Sequence, residues 1–180
     1  VPERLEIKRE LFGKLNRLAP TDAILASNSS SYPSSEFIDQ VSESVRSRVV
    51  NTHFYMPPIQ NVVELMSCGY TDQSVINTLL RNLVGYGGLV PFFVQKESIG
   101  FIFNRVWAAI KREGLEVVAT GISTPEDFDR IFKISTGSPF GPFQMMDKVG
   151  LDVVLDIEER YASVIPNLPT APRELLRNLI

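Results

Sequence analysis

His53 is the only histidine in the chain, and a carboxylate, Glu64, stands eleven residues beyond it. Imidazole is the side chain that changes charge closest to neutral pH, and a carboxylate partner can orient its ring and tune its basicity. A polar cluster, Ser27-Asn28-Ser29-Ser30-Ser31, closes an apolar run upstream. Downstream, Gly100-Phe101-Ile102-Phe103-Asn104-Arg105 opens a long helical pattern. Ser30, His53 and Glu64 are the residue types of a hydrolytic triad. The Gly-x-Ser-x-Gly turn that exposes such a serine is absent, however, so hydrolysis is a poor reading. Plainer roles are open for each group. The serines can cap the next helix. Gly100 can allow close packing, and Asn104 can be a helix-surface amide. Gly137-Ser138-Pro139-Phe140-Gly141-Pro142 reads as a turn shaping a pocket, an interface or only the fold.

Composition narrows the field. An apolar share of 44% with 11 Phe and 5 Tyr over 180 residues supplies a real core. The formal net charge is −3 and no basic stripe interleaves with aromatics, which argues against nucleic acid. One cysteine, Cys68, excludes an internal disulfide and fits a reducing compartment (cytoplasm, mitochondrial matrix or peroxisome), and with one histidine a zinc site is not expected. Apolar runs are shorter than a membrane span requires, and no signal-peptide pattern opens the chain. The chain starts at Val1-Pro2 and ends at Ile180 inside an amphipathic pattern, so it is read as a fragment.

The elements that must position these groups follow from periodicity. Glu3 to Leu18 has helical apolar spacing stopped by Pro20, and Ala23 to Ala26 reads as a buried strand. Pro33 to Val41 reads as a short helix, and Arg48 to Phe54 and Asn61 to Met66 as strands. Thr71 caps a helix running to about Tyr86, and Leu89 to Val94 is a further strand. Gly100 to Gly121 is expected as one long helix. Thr124-Pro125 starts another, Gly137 to Phe143 is a turn, and helices follow over 150–164 and 170–179. The spacing thus predicts an α/β part over residues 1–96 and an all-helical part over 97–180. A helix leading into a strand suggests a βαβ unit whose first strand is missing.

In this order and spacing, Ser27–Ser31, His53-Phe54-Tyr55 with Pro57, Val63-Glu64, Gly100–Arg105, Gly141-Pro142-Phe143 and Asp147–Asp152 resemble the L-3-hydroxyacyl-CoA dehydrogenase family. The resemblance runs from the first helix to about Tyr161. It implies a truncated Rossmann-like NAD domain followed by a helical substrate and dimerisation domain, with NAD as cofactor, an acyl-CoA substrate, and a homodimer formed through the helices. It implies that His53 is the base taking the proton of the 3-hydroxyl, that Glu64 is its partner, and that Ser30 and Asn104 contact substrate. Glu3, Lys8, Asn28 and Ser30 fall at positions lining the cofactor site.

Three departures from the family pattern stand out. The Gly-x-Gly-x-x-Gly pyrophosphate turn and the first strands of the sheet are absent. Met56 takes the place of a usual Asn, and the His53-to-Glu64 stretch is one residue shorter, a change expected to be absorbed in the Pro57-Pro58 loop. The alternatives are a related hydroxy-acid (gulonate-type) dehydrogenase and a non-catalytic dimerisation or structural module.

Overall fold

The computed structural model describes the backbone of all 180 residues and the side chains of all but Met56, Tyr86 and Gly87. It divides into two compact units, Val1–Ile102 and Phe103–Ile180.

In the first unit, helix α1 (Leu5–Leu18) leads to strand β1 (Leu25–Ser27), a 3₁₀ turn (Ser34–Phe37) and the short α2 (Glu43–Arg46). Strands β2 (Val49–Met56) and β3 (Gln60–Ser67), helix α3 (Gln73–Gly87) and strand β4 (Val90–Val94) follow. The sheet runs β1-β2-β3-β4 in space. The β1–β2 and β3–β4 pairs are parallel, and β2–β3 is an antiparallel hairpin. The expected strand over 23–26 is shifted toward the C-terminus because its pairing begins only where Leu25 meets Val49. The expected helix over 33–41 shortens to the 3₁₀ turn.

Strand alternation gives the sheet two faces. Leu25, Val49 and Cys68 pack under α1 and the 3₁₀ turn with Phe12, Phe37, Ile38 and Val41. Phe12 and Phe37 meet at 4.8 Å between ring centroids. Burying each such aromatic contributes on the order of 1.5–3 kcal/mol, so this cluster anchors α1 to the sheet. Thr71 does not cap α3. Asp72 occupies that place, while the Thr71 hydroxyl donates to the Val49 carbonyl at 2.5 Å.

The expected helix from Gly100 begins three residues late, at Phe103. Gly100 and Phe101 have φ of 73° and 54°, left-handed values that a right-handed helix cannot contain. In the second unit α4 (Phe103–Ala119) precedes α5 (Pro125–Thr136), α6 (Pro142–Val149), α7 (Leu151–Val164) and α8 (Ala171–Leu179). Leu115, Met146, Val154 and Leu176 form the core where four of these helices meet. Thr124 caps α5 as its sequence suggests, accepting the Asp127 N–H at 3.2 Å. Helix α6 replaces the end of the expected turn, with Pro142 in its first turn and the Asp129 carboxylate accepting the Phe143 and Gln144 N–H groups at 2.8 and 2.9 Å. Among the described residues no helix is long and apolar enough to cross a membrane.

Candidate active site

His53 and Glu64 are direct partners across the β2–β3 hairpin, so both project from the same face of the sheet. The one register shift of the hairpin lies beyond them, between Phe54 and Met56, and leaves this pair aligned. His53 Nδ1 lies 3.4 Å from Glu64 Oε2. Both residues are buried, His53 at 8% and Glu64 at 2% exposure, so the carboxylate charge must be met by donors rather than by water. One donor is the Ile102 N–H, 3.0 Å from Oε1. The Tyr55 phenol stands beside the pair, its ring 5.1 Å from the imidazole, and its pKa is held well above the usual phenol value by burial first and then by the Glu64 carboxylate. With Nδ1 turned to the carboxylate, Nε2 is the ring atom available as a base. Phe101 covers the ring, stacked at 4.9 Å and 19°.

A second group of polar side chains gathers at the C-terminal end of β1. Lys8 Nζ sits 2.9 Å from Glu3 Oε2, and the same carboxylate accepts the Ser29 hydroxyl at 2.9 Å and the Ser30 N–H at 3.2 Å. Asn28 Oδ1 accepts the Phe54 N–H at 2.9 Å, which ties the loop after β1 to the residue following His53. Glu3, Lys8, Asn28 and Ser29, with Leu11 and Phe12, line a cavity of about 290 Å3. Ligands of open α/β sheets bind beyond the carboxyl ends of the strands, as this cavity lies. Its acceptors and donors suit the carboxamide and ribose hydroxyls of a nicotinamide nucleotide, whereas no glycine-rich turn for a pyrophosphate is among these residues.

The structure therefore brings His53 and Glu64 together, and separately gathers Glu3, Lys8, Asn28 and Ser30. Asn104 belongs to the first turn of α4 in the second unit. The Met56 side chain lies outside the described residues. Three contributors were not singled out from the sequence: Tyr55, Phe101 and the Ile102 N–H. Alternation along β2 puts Tyr55 on the face of His53, a usable signal. The other two depend on the left-handed turn at Gly100-Phe101, which no periodicity reveals.

Residues 1–97 match the family model described as "3-hydroxyacyl-CoA dehydrogenase, NAD binding domain", and residues 100–180 the one described as "3-hydroxyacyl-CoA dehydrogenase, C-terminal domain". The chain is 48% identical over 120 residues to the 3-hydroxyacyl-CoA dehydrogenase-like protein LAM1 of Cochliobolus heterostrophus, covering 66% of this chain and 25% of that protein. It is 30% identical over 182 residues to the mitochondrial hydroxyacyl-coenzyme A dehydrogenase of Rattus norvegicus, covering 100% of this chain and 57% of the relative. Among solved structures, FadB2 of Mycobacterium tuberculosis superposes with a TM-score of 0.85 at 28% identity, over 99% of this chain and 63% of that one. Apart from LAM1, the chain spans about half the length of the curated relatives it matches. With both domain models matched in order over nearly its whole length, the chain belongs to the 3-hydroxyacyl-CoA dehydrogenase family.

Proposed function

We propose that this chain serves the NAD-dependent oxidation of an L-3-hydroxyacyl-CoA to the 3-oxoacyl-CoA, as in fatty acid β-oxidation. The observation that carries the reading is the buried His53–Glu64 pair, in register on one face and linked through Asn28 and Phe54 to the polar cavity at the end of β1. Nε2 of His53 takes the proton of the 3-hydroxyl as the C3–O bond becomes a carbonyl. Glu64 accepts from Nδ1 and stabilises the charge that the ring acquires. NAD, when bound, supplies the acceptor for the hydride leaving C3. Glu3, Lys8 and Asn28 hold its nicotinamide-ribose end, and Ser30 hydrogen-bonds the substrate.

The relatives support acyl-CoA as the substrate class, one being named a 3-hydroxybutyryl-CoA dehydrogenase. A homodimer through the helical domain fits the exposed Ile131 and Ile134 of α5, and the free Cys68 fits a reducing compartment. The test uses the chain expressed with a complete nucleotide-binding domain. NADH oxidation with acetoacetyl-CoA is compared with NAD reduction by gulonate and with no substrate. Turnover of acetoacetyl-CoA is expected. Turnover of gulonate alone would move the assignment to a hydroxy-acid dehydrogenase, and turnover of neither to a non-catalytic module.

A further inference from the structure

Asn51 stands two residues before His53 on β2, on the same face of the strand. It is 0% exposed, so its amide must find its partners within the protein. Those partners belong to one segment, the loop that leaves β1 and enters the 3₁₀ turn. Oδ1 accepts the Ser34 N–H at 2.7 Å and also the Ser34 hydroxyl, and Nδ2 donates to the Tyr32 carbonyl at 3.4 Å. The same loop carries Ser30. Within it the Tyr32 N–H donates to Ser29 Oγ at 3.1 Å, and the Glu3 carboxylate holds both the Ser29 hydroxyl and the Ser30 N–H. The parallel ladder sets Ser27 opposite Asn51, so the loop leaves the sheet just before the position of His53. At its start Asn28 Oδ1 accepts the Phe54 N–H. The loop is therefore tied to β2 on both sides of His53, through Phe54 at its start and through Asn51 at its end.

We propose that Asn51 is a positioning residue. Its buried amide clamps the loop that carries Ser30 against the strand that carries His53, so that the serine hydroxyl and Nε2 address the same substrate oxygen. Asn51 acts through that loop and touches neither substrate nor cofactor. Filling space does not account for it. A leucine of similar size would occupy the same buried place, whereas an amide that accepts from Ser34 and donates to Tyr32 fixes the direction of the loop, which apolar packing does not. The proposal rests on His53 and Ser30 serving the assigned reaction, but the clamp itself can be read without that reaction.

The test is Asn51→Leu, which keeps the volume and removes the amide. In the 180-residue chain, amide hydrogen exchange of Ser30, Ser34 and Phe54 should speed up roughly tenfold or more beyond any change in the β2–β3 ladder. Equal acceleration throughout the sheet, or none, would overturn the clamp. The wild type covers the case in which that variant folds poorly. Its Ser34 amide, bonded to a side chain rather than to a ladder, should exchange on the order of 100-fold more slowly than an open loop amide. An unprotected Ser34 amide would overturn the proposal. In the chain expressed with a complete nucleotide-binding domain, Asn51→Leu should lower kcat by roughly 10–100-fold with KM changed much less, the effect of a displaced contact. In a Ser30→Ala background the same substitution should lower kcat by less than about twofold, because both changes act on one hydroxyl. Equal losses in the two backgrounds would show a merely structural role and overturn the proposal. Loop-confined exchange in a protein that turns over no hydroxyacyl-CoA would retain the clamp and defeat only the assigned reaction.

Discussion

Phe101 lies parallel to the His53 ring at 4.9 Å on a backbone with φ of 54°, and the next residue's N–H caps Glu64. One short turn thus serves both members of the dyad. A non-glycine residue in the left-handed region costs about 1 kcal/mol or more, so the packing of this ring must offset it. Phe101 is 3% exposed and clusters with Met66 and Val94. Phe101→Ala should therefore destabilise the chain by about 3–5 kcal/mol in denaturant unfolding. A loss under about 1 kcal/mol would mean that the ring contributes little to the core.

His53→Ala, in a form with a complete nucleotide-binding domain, should lower kcat by roughly 10²–10⁴-fold while changing KM much less, because a base acts mainly in the transition state. Steady-state kinetics with acetoacetyl-CoA decide this. A variant keeping more than about half of wild-type kcat would remove His53 from the mechanism.

The cavity at β1 offers polar groups for one end of a dinucleotide but no pyrophosphate turn, and helix N-terminal donors at such a turn supply much of the grip on phosphates. The 180-residue chain by itself should bind NAD more weakly than about 1 μM, or about −8 kcal/mol. Isothermal titration measures this, and tighter binding would show that other groups of this chain hold the phosphates.

Tyr161 is 4% exposed and its hydroxyl is buried with no hydrogen-bond partner among the described residues. Burial and the Glu158 charge push its pKa up to about 12 from 10.0. A phenol whose folded-state pKa is raised contributes stability that is present below 10.0 and lost as pH rises toward 12. Tyr161→Phe removes both this dependence and an unsatisfied hydroxyl. It should be neutral or stabilising near neutral pH, by up to about 1–2 kcal/mol. Relative to wild type it should gain further stability between pH 10 and 12, read as urea midpoints across that range. A clear loss of stability at neutral pH would show that the hydroxyl has a partner.

Gly141 lies against Asp129 so closely that an added Cβ would fall 2.1 Å from Asp129 Cγ. Asp129 is itself 4% exposed and satisfies two N–H groups at the start of α6. Gly141→Ala should cost about 1–3 kcal/mol or more through overpacking, and Asp129→Ala about 0.5–2 kcal/mol through the lost cap. The double variant should cost less than the sum, since both act on one contact. Additive thermal shifts would show the two effects to be separate.

Sequence by itself determined the strongly periodic elements: α1 ended before Pro20, the β2 and β3 strands, and α5 capped by Thr124 ahead of Pro125. These follow from local apolar spacing and backbone chemistry, which neighbouring residues carry among themselves. It also supplied the single imidazole, His53, that the proposed reaction uses as its base. Tertiary structure decided where helix α4 starts, because two left-handed residues at Gly100-Phe101 are stabilised by packing on His53 and by the Glu64 carboxylate, not by their own preferences. It decided α6, whose first N–H groups are held by Asp129 from the preceding helix. It also decided that Glu64 reaches His53. Eleven residues of separation permit either face, and only the hairpin register, with its irregular step placed beyond the pair, puts both side chains on the same one.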